Sequence, residues 1–295
     1  MLLFFIVSCG AKDLQLTRSL RRNFSLNSSA VHFFVGAHPD DWQIYMGDFA
    51  YDAIVGKSKT IIIIPNAGDE GFGKTYWQAR EDASIASVRA VLGYPLSTGD
   101  KSEVDEILTF NGKTLRHHTL SNVSMYFLRF PDGMKDGSGT EASKHQSMFQ
   151  LMEGDIADLT TIDGANTYTW NELTTVLKSI INKEYTVSTK DIRFYIQDPG
   201  TEKKISHSDH LAVQKVIREV SSTVTSSDCR QLAFEDYRVK NKTENSSKGN
   251  IGKKLLVYSA YDNLMISRNQ PCGLCQRSHY EWLLRSYIRE YGCEM

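Results

Sequence analysis

Unbroken apolar runs alternate along the chain with segments whose apolar residues recur every three or four positions. Val31 to Ala37 reads as a strand buried on both faces, and Thr60-Ile61-Ile62-Ile63-Ile64 is the clearest strand of this kind. Ser124 to Phe130, Asp191 to Gln197, Leu232 to Val239 and Leu255 to Ser259 are strand-like too. Between them, Trp42 to Ile54 carries Ile44, Tyr45, Phe49, Ala53 and Ile54 at helical spacing. Tyr76 to Leu92 places Trp77, Ile85, Val88 and Leu92 on one stripe, with Gly93 as a C-terminal cap. Trp170 to Ile181, the segment bearing Val213, Val216, Ile217 and Val220, and Ser278 to Glu290 complete the predicted helices. The Gly-, Ser- and Asp-rich stretch after Pro131-Asp132-Gly133 predicts a long loop, and Lys240 to Lys254 a mobile polar excursion. Alternating strands and helices predict an α/β sandwich with a mostly parallel sheet.

At 295 residues and 41% hydrophobic content the chain can bury a sizeable core. The pattern predicts one domain over residues 31–295, preceded by a signal or anchor and a linker over residues 1–30. A net charge of −1 gives no electrostatic footprint for nucleic acid or for an anionic membrane. No apolar run reaches the ~20 residues of a spanning helix. Met1 to Val7 is apolar and leads into Ile6-Val7-Ser8-Cys9, which resembles a bacterial lipobox without the basic n-region and long apolar core of a full signal. It predicts export or membrane association through the N-terminus over a cytoplasmic location. With Cys9 lipidated, Cys229, Cys272, Cys275 and Cys293 remain, which suits disulfides in an oxidising compartment. Cys272 and Cys275 have no second CxxC to complete a zinc knot, so they predict a local disulfide or two thiols.

Sites in open α/β sheets collect beyond the carboxyl ends of strands. Three such loops carry ionisable groups: His38 to Asp41, Gly68 to Gly71, and His207-Ser208-Asp209-His210. His38 and Asp41 make half of a divalent-metal site, and His210 supplies a third ligand. Two histidines and a carboxylate suit catalytic Zn²⁺, with Fe²⁺ also compatible. Asp40 lies between the first two, placed to act as a base. His207 is a candidate to protonate a leaving amine or steady an oxyanion, and Asp209 to hold a histidine tautomer. Either motif alone fits an Asx-turn or a helix cap; the two together at strand exits point to a metal site. Asp132 reads as a turn residue and His279 as a packing residue.

Ala37-His38-Pro39-Asp40-Asp41 with Gly47, then Gly68-Asp69-Glu70-Gly71, then His207-Ser208-Asp209-His210 resemble the three signatures of the LmbE-like (PIG-L) deacetylases, in order and spacing from about Val31 to Val220. The resemblance implies a Rossmann-like three-layer fold and zinc-dependent hydrolysis of an N-acyl group, usually acetyl from a glucosamine-type sugar or glycoconjugate. By position it implies metal binding by His38, Asp41 and His210, base catalysis by Asp40, and an acid or electrostatic role for His207. Arg80 falls near the family's substrate-contacting arginine, the alternative being an exposed helix charge. Glu70 is a candidate for a sugar hydroxyl, or a turn carboxylate without function. Three positions depart from the pattern. Trp42 stands where an acid usually follows the paired aspartates and predicts an altered pocket wall. Gly47-Asp48 replaces a glycine pair, and Ile205 replaces a tyrosine that helps polarise the carbonyl. An amidase acting on a non-sugar or thiol-conjugate substrate and a non-catalytic carbohydrate-binding homologue are the alternatives.

Overall fold

The computed structural model describes residues 30–97, 101–200, 206–226 and 228–293. The N-terminal segment with Cys9 and the position of Ile205 lie outside the described residues. In chain order the elements are β1 (Val31–Val35), α1 (Asp41–Val55), β2 (Lys59–Asn66), α2 (Lys74–Val91), β3 (Val104–Phe110), β4 (Lys113–Leu120) and β5 (Val123–Phe130). Then come α3 (Met148–Glu153), the short pair β6 (Leu159–Thr160) and β7 (Thr167–Tyr168), α4 (Trp170–Glu184) and β8 (Asp191–Asp198). The chain closes with α5 (Ser208–Ser221), β9 (Asp228–Glu235), α6 (Lys248–Ser267), α7 (Arg277–Leu283) and β10 (Ile288–Gly292).

The main sheet runs β10-β9-β8-β1-β2-β5-β4-β3. The five central strands from β9 to β5 are parallel, while β10 on one edge and β4 and β3 on the other are antiparallel. The sheet is thus mostly parallel, with helices on both faces in a Rossmann-like three-layer arrangement. Alternation along the strands makes the layers. Phe34, Ile62, Phe127 and Tyr195 pack with residues of α1, α2 and α6. Phe33, Ile63, Tyr126 and Phe194 point the other way and pack with residues of α3, α4 and α5. Both faces of β1 and β2 are covered, which explains their unbroken apolar runs.

Several local expectations need correction. Leu255 to Ser259 is helical and lies inside α6. Its run of apolar residues mimics a strand, but the buried positions Val257, Tyr258, Tyr261, Leu264 and Met265 follow the helical period. Lys240 to Lys254 is no excursion: it holds the end of a 3-10 turn (Tyr237–Asn241) and the first turns of α6. Lys254 is buried there, its Nζ donating to the Arg285 carbonyl at 3.0 Å. Ser278 to Glu290 is a short helix, α7, followed by the edge strand β10. The β3–β4 hairpin turns at Asn111-Gly112, both at positive φ (51° and 79°), an Asn-Gly hairpin signal present in the sequence but not read from it. Cys229 and Cys293 form a disulfide that ties β9 to β10, and Cys272 is bonded to Cys275. Among the described residues no helix is long and apolar enough to cross a membrane.

Candidate active site

All five parallel strands end on the same edge of the sheet, and each delivers a polar side chain there. After β1 the chain turns so that the His38 N–H donates to Asp41 Oδ2 at 2.7 Å, and Asp41 opens α1. His38 Nδ1 lies 3.2 Å from the same oxygen, and its Nε2 lies 3.0 Å from Asp209 Oδ2. After β8, α5 starts at Ser208 with His207 as its N-cap, Nδ1 accepting the Asp209 N–H at 3.2 Å. One turn in, His210 turns Nε2 towards Asp41 Oδ1 at 3.5 Å. After β9, Asp236 meets His210 Nδ1 at 2.8 Å. After β5, Asp132 lies 3.4 Å from His207 Nε2 through Oδ1 and 3.7 Å from His38 Nε2 through Oδ2.

Two overlapping groups could hold a metal ion, each with its ligand atoms within 4.8 Å of one another: His38, Asp41 and His210, and His38, Asp132, His207 and Asp209. In the first group both histidines have carboxylates on either side of the ring. His38 and His210 each turn one nitrogen towards Asp41 and the other towards a second carboxylate, Asp209 or Asp236. That is the carboxylate–histidine arrangement that fixes tautomer and ring orientation at metal sites. Charge points the same way, because four buried carboxylates (Asp41, Asp132, Asp209, Asp236) crowd three imidazoles. Burial lowers the His210 pKa, but Asp41 and Asp236 overcome it and bring it to about 9. Burial likewise opposes charge on His38, yet Asp209 and Asp41 hold its pKa well above 6.5. Asp41, which burial alone would push up, is held well below 3.8 by His210 and His38. A cation is what this donor set accommodates. If Asp236 orients His210 in this way, Asp236→Asn is expected to weaken metal binding by about 10–100-fold, read from a competitive chelator titration. Unchanged affinity would remove that role.

A cavity of about 630 Å³ opens over this cluster, with His38, Asp40, Asp41, Asp132 and His207 on one side. Arg80 is not an exposed helix charge, being only 5% exposed. Its guanidinium donates to Asp40 Oδ1 and to the Gly68 carbonyl at 2.5 Å each, to Tyr261 Oη at 2.9 Å and to Glu70 Oε1 at 3.2 Å. Gly68 sits at φ +60°, and a Cβ there would lie 2.5 Å from the guanidinium, so this loop admits only glycine against the arginine. Glu70 lines the cavity rim and accepts the Tyr76 hydroxyl at 2.9 Å.

Trp42 does not form the pocket wall expected from its neighbours. It is fully buried and donates to Ser84 Oγ at 2.8 Å, packing between α1 and α2. The cavity is lined instead by Tyr237, Tyr258, Tyr261, His279 and Trp282. His279, expected only to pack, therefore also lines the cavity. Tyr237 lies against His210 (ring centroids 5.1 Å apart) and stacks on Trp282. Burial raises its pKa well above 10, with Asp41, Asp40 and Asp236 adding to the effect, so the phenol remains a proton donor. Asp132, Asp236 and Tyr237 are the residues that sequence reasoning missed or undervalued. The available signal was position: each follows directly on a parallel strand, as do the three loops that carry the motifs.

Fold and site together define an α/β protein with a buried His/Asp cluster, able to hold a metal ion, at the carboxyl edge of a parallel sheet. The chain belongs to the PIG-L family: the model described as GlcNAc-PI de-N-acetylase matches residues 33–221. Among solved structures it is similar to the N,N'-diacetylchitobiose deacetylase of Pyrococcus horikoshii, at 13% identity and TM-score 0.48, covering 98% of this chain and 96% of that one. The conserved protein TT1542 of Thermus thermophilus matches at 13% identity and TM-score 0.42, covering 88% and 91%. GalB, the 4-carboxy-2-hydroxymuconate hydratase of Pseudomonas putida, matches at 10% identity and TM-score 0.42, covering 86% and 82%. A comparison with curated proteins finds no match.

Proposed function

We propose that the protein is a zinc-dependent deacetylase that hydrolyses the N-acetyl amide of a GlcNAc-containing sugar, glycolipid or glycoconjugate. Family membership supports a hydrolytic deacetylase acting on GlcNAc-type substrates. The observation that carries the reading is the cluster of His38, Asp41 and His210 beneath a cavity that Asp40 and His207 also line. In this reading those three residues hold the ion. Bound there, a divalent ion supplies a Lewis acid and lowers the pKa of water towards ~7. Asp40 takes the proton of the attacking water, its carboxylate held by Arg80. His207, steadied by Asp132, passes a proton to the leaving nitrogen. Tyr237 donates its hydroxyl to the oxyanion that develops on the acyl oxygen, the task the family assigns to a tyrosine where this chain has Ile205. Tyr237→Phe is then expected to lower kcat by about 10²-fold with metal content unchanged, and an unchanged kcat would remove Tyr237 from the mechanism.

The deciding experiment is free-amine release from N-acetylglucosamine monosaccharides, oligomers and glycolipids, run beside thiol-conjugate amides. Activity should be lost to a chelator and restored by Zn²⁺. Release only from the thiol conjugates would replace the sugar reading, and glycan binding without release from any substrate would replace the enzymatic one.

A further inference from the structure

The connection from α6 to α7 also lines the cavity, through Pro271, Cys272, Gly273 and Gln276. It carries the Cys272–Cys275 disulfide, and the two disulfides of the described residues differ in setting. Cys229–Cys293 joins two strands across a sequence separation of 64, and Cys293 is buried. A bond that closes so long a loop restricts the unfolded chain strongly. Cys272–Cys275 closes a separation of three residues, so its entropic contribution is small, and Cys275 is exposed. Asp262 of α6, itself buried, accepts the Gly273 N–H at 2.9 Å and the Leu274 N–H at 2.6 Å. Its Oδ2 lies 3.6 Å from Cys272 Sγ. Burial raises the Asp262 carboxyl above its ordinary value, while the Leu274 and Gly273 N–H groups oppose the rise. Gly273 presses on Tyr258, where a Cβ would stand 1.9 Å from the phenol oxygen. The bonded loop is thus fitted tightly against the aromatic wall.

We propose that Cys272–Cys275 is a redox-active dithiol–disulfide site whose exchange with an external dithiol reshapes the wall of the cavity. A thiolate of the reductant attacks the exposed Cys275 Sγ. The S–S bond breaks, and Cys272 leaves as a thiolate that takes a proton from water. The second thiol of the reductant, deprotonated by solvent, displaces Cys275, which is protonated in turn. Two electrons pass from the reductant, which ends as a disulfide, to the pair, which ends as two thiols. Without its cross-link the loop keeps the Asp262 contacts, the Gln276 N–H bond to the Gly273 carbonyl at 2.9 Å and the packing of Leu274 on the core, and its fit against Tyr258 loosens.

The test uses the full chain, titrated with dithiothreitol, alkylated with iodoacetamide and peptide-mapped. Cys272 and Cys275 should be labelled at about tenfold lower reductant than Cys229 and Cys293. Acrylamide quenching of Trp282 fluorescence, read as the difference from Trp282→Phe, should rise on reduction. The Cys272→Ser/Cys275→Ser variant should show the raised quenching without reductant, and Asp262→Asn should reoxidise more slowly. Labelling of all four cysteines together, or quenching unchanged by reduction of the wild type, overturns the proposal. A change in KM with kcat retained is expected in addition; this arm alone rests on the deacetylase reading. If no form releases amine, that reading fails while the labelling and quenching still decide the redox one.

Discussion

Asp40→Asn is expected to lower kcat for amine release by about 10²–10⁴-fold, the share of a general base, with metal content nearly unchanged and the melting temperature lowered, because buried Arg80 loses its closest carboxylate. The separation of effects follows from where Asp40 sits. It occupies the N-cap position of α1, yet its side chain makes no capping bond, so losing the charge does not uncap the helix. The carboxylate is turned to the cavity and held by Arg80 instead. It is outside the group of His38, Asp41 and His210 that could hold an ion. Asparagine keeps the volume and an oxygen for the Arg80 N–H; it loses the ability to take a proton and, with it, the charge that pairs with Arg80. Steady-state kinetics beside elemental analysis of the same sample checks this. Full activity in the variant, or metal lost together with activity, would sink the assignment of Asp40 as base.

The layers were legible because both faces of the central strands are covered. Burial on two sides forces unbroken runs such as Ile61 to Ile64, and these stand out against any helical period. The edges were not legible, for the same physical reason. β3 is largely exposed and carries Val104, Asp105, Glu106 and Ile107 without an apolar run, and β10 sets the charged pair Arg289-Glu290 between Ile288 and Tyr291. In α6, Leu255, Leu256 and Val257 sit side by side although only Val257 is fully buried, so the run imitated a strand while tertiary packing set the helix.

The site divides in the same way. His38 to Asp41 and His207 to His210 are compact motifs whose chemistry shows in a few consecutive letters, and the fold brings them within hydrogen-bond distances. Asp236 and Tyr237 are a pair of ordinary residues at the end of a strand. Only the parallel order β9-β8-β1, which sets the end of β9 beside the start of α5, brings them onto His210. The family match ends at residue 221, so the aromatic wall from Tyr237 to Trp282 lies wholly beyond it. Trp42 shows the converse: adjacent in sequence to Asp41, it points into the core because successive helical residues diverge by about 100°.

His210→Ala is expected to abolish both metal binding and turnover, and to cost stability as well. The imidazole is fully buried between Asp41, Asp236 and the Gln197 amide at 3.1 Å. Removing it leaves buried Asp236 without its imidazole and Asp41 with His38 alone, a loss on the order of 3–5 kcal/mol. The pH dependence distinguishes this from simple loss of packing. In metal-free wild type the folded-state pKa is about 9 against 6.5 for the free side chain, so the stability contributed by His210 is complete below 6.5 and is lost as pH rises through about 9. The gap in melting temperature between chelated wild type and variant should therefore be widest in mildly acidic buffer and close in alkaline buffer. An ion bound at this nitrogen must displace the same proton, so metal affinity should climb over the same window. His210→Gln, which keeps most of the volume and an amide to meet Asp236, should recover part of the melting temperature and none of the turnover. A variant that still binds Zn²⁺ at wild-type affinity, or a melting gap independent of pH, would show that His210 is a core residue and no ligand.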